Sequence, residues 1–422
     1  METSTQQTTF NLNSICDMSS LIPTNESKEI YNEIEKKTSD ETRTKLLSNY
    51  NIIDKVQVID NKPYNLLKYD KKYLTHDSYR TIGKFRSLVY RNGKILSYSP
   101  PKAMKFDDFK EAFSETDCYA EEFIEGTMIN VFYDKDEEKW EIATKSSIGA
   151  KVRFFENSPM FADMFYETCT YIKMDINNLD PAYTYTFVMQ HPANRIVMPI
   201  SYPALFLIRA YKIDGFIIQD IGMGEIYGSN IGNYLSTCNI RPPLKYPLIS
   251  FDSVENYFAS MNTEYFYPGI MIYNSSGERA KVRNPTYEDV RMLRGNQTKL
   301  QYQYLYLRKE GKVRDYLTYY PESKSAFSKY QELVHRYTEN LFLNYVACYI
   351  KKMKPLKEFP HEYKNAMFNL HKLYLDELRA AKESINRYRV IGYVNNMEPA
   401  HLMHVLNHHN FQQYKDTMNI NK

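Results

Sequence analysis

Cysteine is scarce in this chain: five among 422 residues, at Cys16, Cys118, Cys169, Cys238 and Cys348, odd in number and tens of residues apart. With no C-x-x-C pair, that spacing argues against a disulfide framework and a structural zinc site, and it fits a reducing compartment. No run of about 18 apolar residues occurs, so no membrane-spanning helix is expected. The opening METSTQQTTFNLN lacks a basic segment followed by an apolar one, and no secretory signal is read there. Glycine is sparse as well, at 14 residues. No internal repeat or low-complexity tract appears.

What is present describes a folded protein. A hydrophobic content of 43% with 15% aromatics is enough to bury cores, which excludes a globally disordered chain, and 422 residues imply two or three domains. The net charge of +3 conceals an asymmetry. From Thr286 to Lys422 there are 22 Lys/Arg against 14 Asp/Glu, so the rest of the chain is net acidic. A basic surplus gathered in one region suits a polyanionic partner, because phosphate neutralisation with counterion release drives non-specific nucleic-acid binding. A solvated, lysine-rich helical surface would give the same count.

Three textures follow one another. Residues 1–60 open polar and then carry a helix-like pattern, ESKEIYNEIEKKTSDETRTKLLSNYNII. Residues 61–285 read as a series of hairpins: RSLVYRNGKILSYS turns at Asn92-Gly93, LIRAYKIDGFIIQD at Asp214-Gly215, and GIMIYNSSGERAKVR at Ser275 to Gly277. TMINVFYDKDEEKWEIATK adds a pair with an acidic loop. Residues 286–422 show apolar residues at three- and four-residue spacing, with Pro321, Pro355 and Pro360 at helix boundaries. The expected fold is therefore α+β, an antiparallel-sheet domain followed by an all-helical, basic carboxy-terminal domain.

The chemistry concentrates in EEFIEGTMINVFY (residues 121–133) and YTFVMQHPANRIVMP (185–199). The second resembles the F-E-F-V-x-P-x-N-R-I-V stretch of phage-type, first-family RNA ligases, and the first resembles their active-site strand, K-x-D/E-G. Three further segments fall in the family's order: RSLVYRNGKILSYSPPKAMKFDDF, IATKSSIGAK and AKVRNPTYEDVRML. The branch with the greatest likeness is the virus-encoded, RNA-ligase-like one. The resemblance implies a nucleotidyltransferase (ligase adenylation) domain. It also implies three-step ligation in which a lysine takes AMP from ATP, AMP passes to an RNA 5′-phosphate, and a 3′-hydroxyl displaces it. ATP and Mg²⁺ are the implied cofactors of an active member.

The motifs carry over unevenly. Phe123 stands in the nucleophile's slot. Val188 and Pro268 fall where the family has glutamates, with Glu264 near the latter. Arg86, Lys105 or Lys102, Glu125, Gly126, Lys145, Arg195, Lys281 and Arg283 match positions that hold nucleotide or RNA phosphate. Taken singly, a Lys or Arg on a strand is usually a solvated side chain, and Glu125-Gly126 could serve backbone geometry alone. Tyr302, Tyr304 and Tyr306, interleaved with Arg308, Lys309 and other basic residues, suit single-stranded RNA through stacking plus phosphate contact, although helix packing is the commoner use. His401, His404 and His408 could share a helix face, but with no Cys or carboxylate to complete a set no metal site is assigned there.

Three readings compete. A pseudo-ligase would bind RNA ends, transfer RNA among them, with little or no adenylation. An active ATP-dependent ligase would use Lys102, Lys105 or Lys145 as surrogate nucleophile. A structural virion protein would have kept the fold alone. Host cytoplasm or virus particle is the location implied by the viral likeness, with RNA as partner and no membrane. Loss of a nucleophile costs orders of magnitude in rate, which favours the pseudo-ligase.

Overall fold

The computed structural model describes residues 8–15, 18, 43–47, 50–156 and 158–408. Two compact units result, Met1–Asp289 and Val290–Lys422.

The first unit holds three antiparallel sheets. After β1 (Thr9–Asn11), a five-stranded sheet runs in sequence order through β2 (Arg43–Leu47), β3 (Ile52–Ile59), β4 (Lys62–Tyr69), β5 (Leu88–Arg91) and β6 (Lys94–Tyr98). Asn92 and Gly93 take φ of 49° and 74° between β5 and β6, the two positive values that a tight two-residue hairpin requires. The next strands are β7 (Cys118–Glu122), β8 (Thr127–Asp134), β9 (Lys139–Ala143), β10 (Tyr183–Gln190) and β11 (Ala204–Asp214). The last are β12 (Ile217–Ile221), β13 (Lys245–Tyr246), β14 (Gly269–Asn274) and β15 (Arg279–Arg283). Six of these form one sheet in the order β1-β12-β11-β10-β8-β9, and four form another in the order β13-β7-β14-β15.

The hairpins at Asp214-Gly215 and Ser275 to Gly277, and the β8–β9 pair with its acidic loop, fall where the sequence places them. The helix-like pattern that ends at Ile53 is corrected at its carboxy-terminal end, since Arg43–Leu47 and Ile52–Ile59 are paired strands. β-branched Ile52 and Ile53 suit a pleated surface, and Ile52 is buried beneath Leu67 and Leu88. The rest of that pattern, from Glu26 to Thr42, lies outside the described residues.

The five-stranded sheet is buried on both faces, Leu67 entering one core and Leu66 another, and the six-stranded sheet likewise at Val131 and Phe132. Helix Phe161–Ile172 covers the six-stranded sheet through Met164, Phe165 and Cys169. Helices Phe106–Ala112 and Phe251–Phe258 cover the four-stranded sheet through Phe109, Phe251 and Val254. Phe10, Tyr98 and Tyr211 join β1, β6 and β11; the last two rings meet edge-on at 5.1 Å, a geometry worth about 0.5–1.5 kcal/mol beyond the area buried.

The second unit is helical throughout its described length, with helices at Leu300–Lys309, Val313–Tyr319, Lys324–Tyr345, His361–Leu373, Arg387–Asn395 and Pro399–Leu406. Aromatic packing supplies much of its core: Tyr316 stacks on Tyr320 and Phe327, and Tyr337 on Tyr363. Among the described residues no helix is long and apolar enough to cross a membrane.

Candidate functional site

The segment Phe123 to Gly126 is the crossover between two sheets, leaving β7 in the four-stranded sheet and entering β8 in the six-stranded one. Its geometry is fixed at both ends. A Cβ on Gly126, whose φ is +152°, would lie 2.4 Å from the Met189 carbonyl oxygen, so only glycine lets the crossover approach β10 so closely. The buried Glu125 carboxylate turns away from the cleft and accepts the backbone N–H groups of Val197 (3.1 Å) and Met198 (3.1 Å). That bond pins the Arg195–Met198 loop, and the Gln190 amide closes it by donating to the Glu125 carbonyl at 2.9 Å.

Phe123 packs against Ala103, Met271 and Tyr273 and lines a cavity of about 140 Å³. Arg86, Val188, Arg279 and Lys281 also face it. The Lys281 ammonium sits 4.5 Å from the centre of the Phe123 ring, and the Arg283 guanidinium 5.7 Å from it. The slot where the resemblance expects a lysine therefore holds an aromatic face turned to two cations of β15.

Two backbone contacts bring the other cations in. The Met104 N–H donates to the Arg279 carbonyl at 2.7 Å, laying the Pro101–Met104 segment along β15, and the Lys102 N–H donates to the Gly83 carbonyl at 2.8 Å. Arg86, Lys102, Arg279 and Lys281 thus lie within electrostatic reach of one another, and Lys145 within reach of Arg86 and Lys102. The Arg279 guanidinium, buried, donates to the carbonyls of Pro101 (2.7 Å) and Pro100 (3.3 Å). Lys145 donates to the Tyr69 hydroxyl at 2.9 Å, and Lys102 to the Ala103 carbonyl at 2.8 Å. None of these five cations has a carboxylate partner among the described residues.

The electrostatic consequence is strong. Burial first, then repulsion from Arg86, pushes Lys102 and Lys145 each down to about 8. Burial, then the nearby Arg279, brings Arg86 down to about 10. Lys281 is held well below the ordinary lysine value by burial, then by Arg86, Arg283, Arg279 and Lys102. A cluster of desolvated, mutually repelling cations is unfavourable unless an anion offsets it. Arg209, one layer beneath, differs: its charge is matched by Glu121 at 2.9 Å and Asp220 at 3.6 Å, so it serves to tie the two sheets together.

The other residues singled out in the sequence scatter. Gly126 and Val188 line the cavity. Glu125 instead clamps a loop. Arg195 donates to the Val197 carbonyl at 3.0 Å, within its own loop. Lys105 is exposed at the start of helix Phe106–Ala112. Pro268 is buried just before β14, its carbonyl accepting the Asn284 N–H at 3.3 Å, while Glu264 is exposed. Arg279 was not singled out, although a signal existed: Arg279, Lys281 and Arg283 alternate along β15 and so share one face.

In the helical unit the interleaved tyrosines separate. Tyr304 is corrected: only 4% exposed, it packs on Phe327 with ring centres 5.1 Å apart and has no face left for a base. Residues two apart on a helix point in different directions, whereas Tyr302 and Tyr306, four apart, share a side. Tyr306 is exposed. Arg308 donates to Asn395, and Lys309 pairs with Glu398 at 2.6 Å. His404 and His408 lie 6.4 Å apart, ring centre to ring centre, and no metal-binding group of three His, Cys, Asp or Glu occurs among the described residues.

Mg²⁺ takes oxygen ligands, usually one or two carboxylates together with substrate phosphates. Among the described residues Glu122 is the one carboxylate lining the cavity, and both its oxygens accept from Arg241, at 2.5 and 2.9 Å. The residues present do not fit a divalent cation.

Against known proteins, the chain is similar to an RNA ligase of the Rhodothermus phage RM378, 30% identical over 102 residues, covering 22% of this chain and 23% of the phage protein. The likeness is to an RNA ligase. The RNA-ligase-like match thus spans about a quarter of its relative's length. No family model matches. Among solved structures, an archaeal ATP-dependent RNA ligase aligns over 94% of this chain and 81% of its own, with a TM-score of 0.34 and 11% identity. A Naegleria gruberi RNA ligase mutant with AMP and Mn aligns over 47% of this chain and 59% of its own, with a TM-score of 0.35 and 10% identity.

Proposed function

We propose that this RNA-ligase-like protein is a pseudo-ligase: it binds RNA through phosphate and does not form a covalent AMP adduct. The observation that carries the reading is Phe123 in the nucleophile's slot, its ring covered by Lys281 and Arg283, beside a cavity whose cations lack carboxylate partners. Uncompensated cations supply attraction for phosphate. A phenyl ring supplies no attacking electron pair. Adenylation also needs metal-assisted charge neutralisation on the triphosphate, and Glu122, the one lining carboxylate among the described residues, is committed to Arg241.

RNA ends, transfer RNA included, are the ligands we assign, with host cytoplasm or virus particle as location; the sequence resemblance supports both. The basic surplus after Thr286 supports a second contact surface in the helical unit. Filter binding of RNA at two salt concentrations tests the reading. Affinity that falls steeply with salt supports it, and absent or salt-independent binding overturns it.

One observation favours a surrogate nucleophile. Lys102 and Lys145, pushed down to about 8, are far more often neutral at neutral pH than an ordinary lysine, as an attacking amine must be. Lys105, exposed and outside the cavity, lacks that advantage.

A further inference from the structure

The helical unit carries a groove of a different character from the cation-lined cleft. Helices His361–Leu373 and Arg387–Asn395 both pack on Lys324–Tyr345 and leave between them a groove of about 910 Å³, within the range of pockets that take drug-sized ligands. One wall is the row Asn365, Asn369 and Leu373, and the other the row Tyr388, Gly392 and Asn396. Spaced four residues apart, each row lies along one side of its helix.

Three of these residues weaken the helices that carry them. Asparagine and glycine are poor helix formers, and Asn365 and Asn369 are exposed, so core packing does not require them. A Cβ on Gly392 would meet nothing within 4 Å beyond the backbone of its own helix, so this fold has no need of glycine there. The missing side chain leaves room for a ligand's main chain to approach closely. Among the described residues the amides of Asn365 and Asn396 have no hydrogen-bond partner. Asn369 is oriented by donating to the Tyr393 hydroxyl at 3.1 Å, which leaves its carbonyl oxygen and second N–H for another partner.

Charge selects the class of ligand. Among the described residues no Asp or Glu lines the groove, and Arg389, the one Lys or Arg that does, pairs with Glu383. A nucleic-acid strand needs free cations to neutralise its phosphates, and this groove holds none. A polypeptide backbone is neutral and presents an N–H beside a C=O. In an extended chain those pairs recur on one side at every second residue, about 6.6 Å apart. Asn365 and Asn369 stand one turn apart, about 6 Å along the helix. Each side-chain amide, a donor beside an acceptor, complements one such pair.

We propose that this groove docks an extended, uncharged segment of a partner protein, with Asn365 and Asn369 holding alternate residues of its backbone. Asn396 adds a polar contact from the opposite wall, and Gly392 lets the segment lie close to the helix. Tyr388, 84% exposed at the rim, supplies an aromatic face for one of the segment's side chains. Main-chain hydrogen bonds give such docking its affinity.

The test pans a phage-displayed library of random dodecapeptides on the full chain, with the Asn365→Ala/Asn369→Ala double variant as counter-selection. A selected peptide is then synthesised with a fluorescent label and followed by anisotropy. We expect its affinity to change less than about twofold between about 50 mM and about 500 mM salt, because no charge is neutralised on binding. The double variant should weaken it about tenfold or more. Gly392→Ala should raise the urea midpoint, since alanine favours a helix, and yet weaken the peptide about tenfold by setting a methyl group in its path. Methylating alternate backbone nitrogens of the peptide should abolish binding in one register and spare it in the other.

Failure to recover any peptide that survives the counter-selection overturns the proposal. Undiminished binding to Gly392→Ala does the same, and so does indifference to backbone methylation. A fall in the urea midpoint of either variant would show that the fold itself requires these residues, again against the proposal. Displacement of the peptide by a single-stranded oligoribonucleotide, with RNA affinity lost in the double variant, would assign the groove to RNA instead.

Discussion

Lys281 rests its ammonium 4.5 Å from the centre of the Phe123 ring, so an amine of β15 lies against the residue that stands where the resemblance expects a lysine. Phe123 is a packed residue with a role of its own: it covers apolar Met271 and Tyr273 and gives two cations a face to lie against. Phe123→Leu keeps an apolar, though smaller, side chain and removes the quadrupole. A stability loss of about 0.5–2 kcal/mol is expected from urea denaturation, the range for a partly desolvated cation–π contact.

Glu125 gives a local prediction. Glu125→Gln weakens the acceptor for the Val197 and Met198 N–H groups, a change of about 1–3 kcal/mol for hydrogen bonds to a charged group. Hydrogen exchange should show those two amides losing protection ahead of the neighbouring β10. Unchanged exchange at both would mean that Glu125 does not hold the loop.

Gly126→Ala sets a Cβ against the Met189 carbonyl and the Val188 side chain at a φ of +152°. Overpacking combined with backbone strain should lower stability by about 3 kcal/mol, seen as a fall in the urea midpoint.

The crowded cations make stability depend on pH. Lys102 and Lys145 titrate near 8 in the folded protein and near the ordinary lysine value, about 10.4, when unfolded. Between those values the unfolded chain binds more protons, so their contribution to stability rises with pH across the window, and the penalty is fully present below about pH 8. Raised tyrosines such as Tyr119 and Tyr185 work in the opposite direction once the unfolded phenols ionise near pH 10. The desolvated thiols of Cys118 and Cys169 also oppose the lysines once unfolded thiols ionise near about pH 8.5. Thermal melts from about pH 7.5 to about pH 9.5 should therefore show the Tm of the unaltered protein gaining on that of Lys102→Met. Phosphate binding favours the charged amines, so RNA affinity should fall over the same interval.

Tyr304 and Tyr306 separate packing from recognition. Tyr304→Ala opens a cavity beside Phe327 and should cost about 3–5 kcal/mol, whereas Tyr306→Ala should stay within about 0.5 kcal/mol in stability. Loss of RNA affinity in the Tyr306 variant, with its melt unchanged, would place the exposed ring in contact with a base.

Much of the sheet architecture was legible because it is written at short range. Asn92-Gly93, Asp214-Gly215 and the turn at Gly277 declare hairpins through local backbone demands. The strand at Arg43–Leu47 was not legible, since a charged, helix-compatible segment is drawn into a sheet by pairing with β3, a tertiary effect that local pattern does not encode. At the site, the motif order located Phe123, Lys281 and Arg86. Which way Glu125 and Arg195 point depends on the crossover between two sheets, and the sequence pattern is silent on it. Arg279 was legible only through its alternation with Lys281 and Arg283 along β15, since its partners, the Pro100 and Pro101 carbonyls, lie far away in the chain.

Whether Phe123 ended adenylation is answered by incubating the protein with α-labelled ATP and Mg²⁺, then resolving it under denaturing conditions. The account predicts no label on the polypeptide, while RNA binding persists in the same preparation. A labelled band, mapped by peptide sequencing to Lys102, Lys145 or another lysine, would contradict it and identify an active ligase with a relocated nucleophile.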